Sequence, residues 1–148
     1  MKTKNKYSLP VRKEEIEQIK YNSPAHKNKL KYAVDYLLPE GSEVYASQNG
    51  EVVFVKQDSN KGGPNKNYFY DGNYITIKHQ NGEYSLYEHL KYKGAKVKVG
   101  DKVKKGQLIG NSGNTGYTFT PHLHFQVFKF TGPNKDEDFE TLEIVWNK

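Results

Sequence analysis

Apolar and polar residues alternate in short runs along most of this chain, the two-residue period of half-buried β-strands. The clearest run is Leu123 to Phe130, which follows Thr120-Pro121-His122 directly. Similar runs are Tyr32 to Leu38, closed by Pro39-Glu40-Gly41, then Glu43 to Ala46, Glu51 to Val55, Tyr74 to Lys78 and Tyr84 to Tyr87. Lys96 to Val103 reads as a tight turn between alternating arms, and Leu142 to Trp146 as a last edge strand. Asn49-Gly50 and Asn81-Gly82 lie between apolar runs and predict two hairpins, one joining Glu43–Ala46 to Glu51–Val55 and one joining Tyr74–Lys78 to Tyr84–Tyr87. Only Arg12 to Tyr21 has helical spacing, with Ile16 and Ile19 on one face and acids early. Residues 1–10 are basic and polar and predict a loosely attached lead-in. The boundaries drawn are 1–21 for the lead-in and 22–148 for one all-β domain, with no repeat at periods of about 20 to 50 residues.

Composition agrees with a β-rich fold. Hydrophobic content is 34%, but the chain holds 12 Tyr and 7 Phe, residues that favour strands. A length of 148 residues supports one domain with a real core. No apolar run approaches the roughly 18 residues of a membrane span, and Met1-Lys2-Thr3-Lys4 opens no signal-like core. With no cysteine, any metal must be held by histidine and carboxylate, which suits zinc or another borderline cation. The formal charge of +6 favours an anionic partner, and seven lysines between Lys91 and Lys105 give it a place. Those lysines also fit a solvated hairpin face.

The candidate chemistry centres on His122 and His124. On a strand, residues two apart share a face, with Cα atoms roughly 6.5 Å apart. His26, Asp35 and His89 are the side chains able to join them. Asp35 lies between Val34 and Tyr36, where a carboxylate needs a cation or hydrogen-bond donors. His89 ends a strand. A zinc held by three protein ligands keeps one position for water, and two neutral histidines plus one aspartate leave the centre positive and Lewis-acidic. Two of the five residues then remain to move protons or stabilise an oxyanion. His79, at the second Asn-Gly turn, reads as a surface residue.

In their order along the chain, Asp35, Tyr87-x-His89-Leu90, Val97-x-Val99-Gly100-Asp101-x-Val103-x-x-Gly106, Ser112-Gly113-Asn114-Thr115-Gly116 and Pro121-His122-Leu123-His124-Phe125 resemble lysostaphin- and LytM-type zinc metallopeptidases. The resemblance covers about residues 26 to 130. It implies a β-sandwich of the duplicated hybrid motif type and a peptidoglycan endopeptidase acting outside the cytoplasm as a monomer. By this resemblance Asp35 and His124 are zinc ligands, and His89 and His122 are the catalytic histidines. The commoner family pattern, His-x-x-x-Asp, would put the first ligand at position 31, which here is Lys31. An ammonium is a poor ligand. The resemblance to a branch with Tyr-Ala-hydrophobic-Asp, here Tyr32-Ala33-Val34-Asp35, implies that His26 supplies the third ligand from the preceding loop. The loops Asp58–Tyr70 and Thr115–Thr120 are expected to wall the substrate groove, with Tyr117 and Phe119 as contacts.

Three other readings compete. A catalytically silent relative would bind cell wall or regulate an amidase through the same groove. A biotinyl- or lipoyl-like carrier would share the Val99-Gly100-Asp101 hairpin, but needs a modifiable lysine typically flanked by Met, and the only Met is Met1. A nucleic-acid binder would place aromatics among its basic residues, whereas these lysines crowd one hairpin.

Overall fold

The computed structural model describes residues 1–21 and 28–147. Among them are the strands β1 (Lys2–Tyr7), β2 (Gln18–Lys20), β3 (Val34–Leu37), β4 (Glu43–Tyr45), β5 (Gly50–Lys56), β6 (Gly62–Gly63) and β7 (Asn73–Lys78). The chain continues with β8 (Tyr84–Ala95), β9 (Lys102–Val103), β10 (Leu108–Ser112), β11 (Gly116–Tyr117), β12 (His122–Phe130), β13 (Phe139–Thr141) and β14 (Glu143–Trp146). The molecule is all-β, as the alternation predicts. Its main sheet runs β2-β3-β12-β8-β7-β5-β9, with β10 and β4 branching from β8 and β13 pairing with β12.

β12 lies inside this sheet, antiparallel to β3 on one side and β8 on the other. Its odd-numbered residues Leu123, Phe125 and Val127 enter the core beside Val34, Tyr36, Tyr87 and Leu90. Fully burying each such side chain contributes about 1.5–3 kcal/mol, which fixes the register of the strand. A one-residue slip would turn the histidines inward and the core residues out.

The two Asn-Gly turns have different outcomes. Asn81-Gly82 joins β7 to β8, which pair antiparallel as expected. Asn49-Gly50 joins no hairpin, because β4 pairs with β10 while β5 pairs with β7 and β9. Val44 and Val52 are nevertheless both fully buried, so the apolar pattern is satisfied by partners distant in sequence. Lys98 to Asp101 does turn tightly, closed by Asp101 N–H donating to Lys98 O. All seven lysines from Lys91 to Lys105 are exposed.

The first twenty residues differ from expectation. Instead of a loose lead-in, β1 pairs in parallel with β14, and Tyr7 is completely buried. Its hydroxyl donates to Glu83 at 2.8 Å, and the Lys4 N–H donates to the same carboxylate at 2.6 Å. Instead of a helix from Arg12 to Tyr21, there is one 3₁₀ turn at Lys13–Glu15, followed by β2, which lies antiparallel beside β3. The open edge of β3 offers backbone partners that a short isolated helix cannot match.

His79 also departs from the surface reading. It is 5% exposed, its ring packs edge-on against Tyr7 with centroids 5.4 Å apart, and Nδ1 and Nε2 meet Asn49 O and Ser85 Oγ at 2.6 and 2.7 Å. A carbonyl only accepts, so Nδ1 carries the proton.

Two measurements test this packing. Tyr7→Ala is expected to cost about 3–5 kcal/mol in urea unfolding, since it empties a filled core site and removes one of the hydrogen bonds to Glu83; a cost under about 1 kcal/mol would restore the loose lead-in. Burial lowers the His79 pKa. The unfolded chain therefore takes up a proton near its ordinary value of about 6.5 while the folded protein does not. The His79 contribution to stability is complete above that pH and erodes as pH falls toward the lower folded value. Proton NMR should find the His79 titration midpoint below its ordinary value; a midpoint at or above about 6.5 would refute the assignment.

Candidate active site

Three of the five predicted site residues lie in one cross-strand row or next to it. His124 stands opposite Asp35 of β3 on one side and Glu88 of β8 on the other, and His122 shares its face one pleat away. Asp35 Oδ1 lies 3.2 Å from His124 Nδ1 and 3.8 Å from His122 Nε2.

His89 reaches the same place by a different device. By strict alternation it would follow Ser85 and Tyr87 into the core. However, Glu88 pairs with Tyr74 and Leu90 with Asn73, which leaves His89 as the extra residue of a β-bulge. Its φ is +71°, a left-handed conformation uncommon for non-glycine residues. The bulge re-aims the side chain. The His89 ring then sits 4.5 Å from that of His122 and 6.1 Å from that of His124, centroid to centroid.

Hydrogen bonds decide which nitrogen each ring offers. His89 donates Nδ1–H to Thr115 O at 2.6 Å, and His122 donates Nδ1–H to Thr120 O at 2.8 Å. When neutral, both therefore present an Nε2 lone pair. Thr118 Oγ1 supports His122, lying 3.1 Å from the same Nδ1 and 2.9 Å from Asn114 Oδ1 and from Thr120 O. His124 is arranged the other way round. Its Nε2–H donates to Gln126 Oε1 at 2.8 Å, leaving Nδ1 to face Asp35.

Electrostatics separate the rings further. Burial, reinforced by His122 and His124, pushes the His89 pKa down to about 3. In His124 burial opposes the charge, but the hydrogen bond and charge of Asp35, helped by Glu88 and Gln126, push it up to about 9. Glu88 itself is raised by burial and by Asp35, with His124 acting against that rise.

A carboxylate oxygen and an imidazole lone pair that face each other need a positive centre between them. A proton fills that role in the metal-free protein, and this oxygen and nitrogen donor pair fits a divalent zinc. His26, the third predicted ligand, lies outside the described residues. Among the described residues no group of three or more His, Asp or Glu is gathered to hold a metal without it.

The flanking loops are tied to the histidines by backbone. β6 pairs in parallel with β11, Gly116 N–H donates to Lys61 O, and Thr118 N–H donates to Gly63 O. Tyr117 packs against Phe119 with centroids 5.5 Å apart, and Phe119 is largely exposed, as are Phe69 and Tyr70.

The family model for Peptidase family M23 matches residues 29–137. The chain belongs to peptidase family M23. Over 93 residues, 63% of this chain and 19% of the relative, this M23 chain is 41% identical to the peptidoglycan DD-endopeptidase ShyA of Vibrio cholerae. Over 99 residues, 66% of this chain and 18% of the relative, it is 43% identical to lysostaphin of Staphylococcus staphylolyticus. A crystal structure of a zinc-containing peptidase from Vibrio cholerae superposes with a TM-score of 0.63 at 30% identity, covering 83% of this chain and 36% of that one. The M23 chain thus spans less than a quarter of the length of both curated relatives.

The parts played by Gln126, Glu88 and the two threonines Thr115 and Thr118 are not evident from the sequence, although both threonines lie in the expected groove wall. The position of Gln126 was detectable, since it continues the 122–124 alternation on the same face. The threonines act through a loop fold that no spacing encodes.

Gly116 holds this loop against the site. Its φ is +86°, and a Cβ there would come within 2.7 Å of Gly72 Cα and 3.2 Å of His89 Nδ1. Gly116→Ala should cost at least about 1–3 kcal/mol and shift the His89 imidazole resonances in NMR spectra. Unchanged stability and unchanged His89 shifts would show that the loop does not hold the ring.

Proposed function

We propose that the chain is a zinc-dependent endopeptidase that hydrolyses peptide bonds of bacterial peptidoglycan, stem-peptide crosslinks or bridges, outside the cytoplasm. The observation that carries this reading is the meeting of Asp35 and His124 Nδ1 at 3.2 Å beside the two Nε2-presenting histidines His89 and His122. The names of the relatives, a peptidoglycan DD-endopeptidase and lysostaphin, supply the substrate class.

In this reading His26, Asp35 and His124 hold the zinc. Bound there, zinc supplies Lewis-acid activation of a water and of the scissile carbonyl. The protein's own part is orientation and proton handling. The Nε2 atoms of His89 and His122 accept hydrogen bonds from the attacking water, which aims its oxygen at the carbonyl carbon. Whichever ring takes the proton becomes a donor to the developing oxyanion or to the leaving amine. His89, pushed down to about 3, resists protonation at rest and so keeps its lone pair available. The carbonyls of Thr115 and Thr120 hold the Nδ1 protons and stabilise an imidazolium once it forms. The β6–β11 loops wall the groove, with Phe119 and Tyr117 as contacts. The exposed lysines from Lys91 to Lys105 give an anionic wall polymer a place to approach.

Elemental analysis with a peptidoglycan-release assay tests the reading. Wild type should carry about one zinc per chain and release peptides. His122→Ala should keep the metal and lose about 10²–10⁴-fold in rate, while His26→Ala and Asp35→Ala should lose both. A wild type that takes up no zinc after supplementation and releases nothing is instead a silent wall-binding or amidase-regulating relative.

A further inference from the structure

Gln126 is a buried side chain, 3% exposed, and follows His122 and His124 on the site face of β12. Its Oε1 lies 2.8 Å from His124 Nε2. A primary-amide oxygen can only accept, so that contact requires the proton of a neutral His124 to sit on Nε2. The consequence appears on the far side of the ring. With Nε2 protonated, the lone pair is at Nδ1, the atom that faces Asp35 Oδ1 at 3.2 Å.

We propose that Gln126 is a positioning residue that selects the Nδ1-presenting tautomer of His124 and so sets the affinity of the site for a divalent cation. This rests on the reading of Asp35 and His124 as metal ligands.

Without the Gln126 oxygen the neutral ring has two choices, and both are poor. Keeping the proton on Nε2 forfeits the Gln126 hydrogen bond at a buried position, which is costly. Moving it to Nδ1 lets the ring donate to Asp35, but a cation can then displace that proton only by returning the ring to the Nε2–H form that has lost its acceptor. Either way a cation must first undo a favourable arrangement, or bind while an unfavourable one persists. Outer-sphere partners of ligating histidines typically change metal affinity by about 10–100-fold when removed.

The choice of glutamine over glutamate matters too. A glutamate would accept the same proton while adding a negative charge behind a site that already holds Asp35 and has Glu88 across the strand. The amide fixes the tautomer and leaves the charge of the centre unchanged.

The experiment compares zinc affinity, by competition with a chromophoric chelator, in wild type, Gln126→Met and Gln126→Glu. Methionine keeps the volume and removes the acceptor, and glutamate keeps the acceptor. Expected are an affinity about 10–100-fold lower in Gln126→Met and a restored or tighter affinity in Gln126→Glu. In the zinc-loaded wild type, long-range ¹H–¹⁵N NMR should show His124 protonated at Nε2 with metal-shifted Nδ1. Thermal melts of the metal-free proteins check that each variant folds. If Gln126→Met misfolds, the Gln126→Glu result and the wild-type tautomer still decide, since a proton on Nδ1 of the loaded ring overturns the proposal. Equal zinc affinity in wild type and folded Gln126→Met overturns it as well, while leaving the metal reading intact. A wild type that binds no zinc defeats both.

Discussion

The pairing of β12 between β3 and β8 is the constraint on which the site depends. Leu123, Phe125 and Val127 are driven into the core, and the pleat then obliges His122, His124 and Gln126 to face the other way. Registers on both sides place Asp35 and Glu88 opposite His124. The site is thus held by the same burial that stabilises the fold. Moving His124 by one position would require turning three core side chains out of the core and onto the polar site face, at a cost of several kcal/mol of apolar burial.

What lies around the row is set by less regular structure. The bulge at His89 costs backbone regularity, and the loop from Thr115 to Thr120 repays it by accepting both Nδ1 protons. Two carbonyls and one amide oxygen therefore determine which nitrogen each of three histidines offers. An imidazole is chemically symmetric enough that sequence gives no hint of that choice. Only the position of an acceptor does.

The N-terminal segment of this chain is tied into the body. β1 lies along β14, and Tyr7 joins Glu83 and His79 in a buried polar cluster away from the candidate active site. Such a cluster rigidifies the Lys78–Tyr84 end of the β7–β8 pair, and Glu88 and His89 lie further along β8. Buried hydrogen bonds of this kind favour a single arrangement because each unsatisfied member is costly.

By itself the sequence determined the β class, the shared face of His122 and His124 and the place of Asp35 in an apolar run. These follow from the two-residue period, which is local. It also carried enough of the spaced motifs to signal the family. Tertiary structure alone decided the partners of β4 and β5, the docking of β1, the burial of His79 and the strand at Gln18–Lys20, because each depends on an edge or pocket supplied by distant residues. The same holds for His89. Its parity along β8 points it inward, and only the unequal lengths of chain paired across β7 and β8 produce the bulge that turns it to the site.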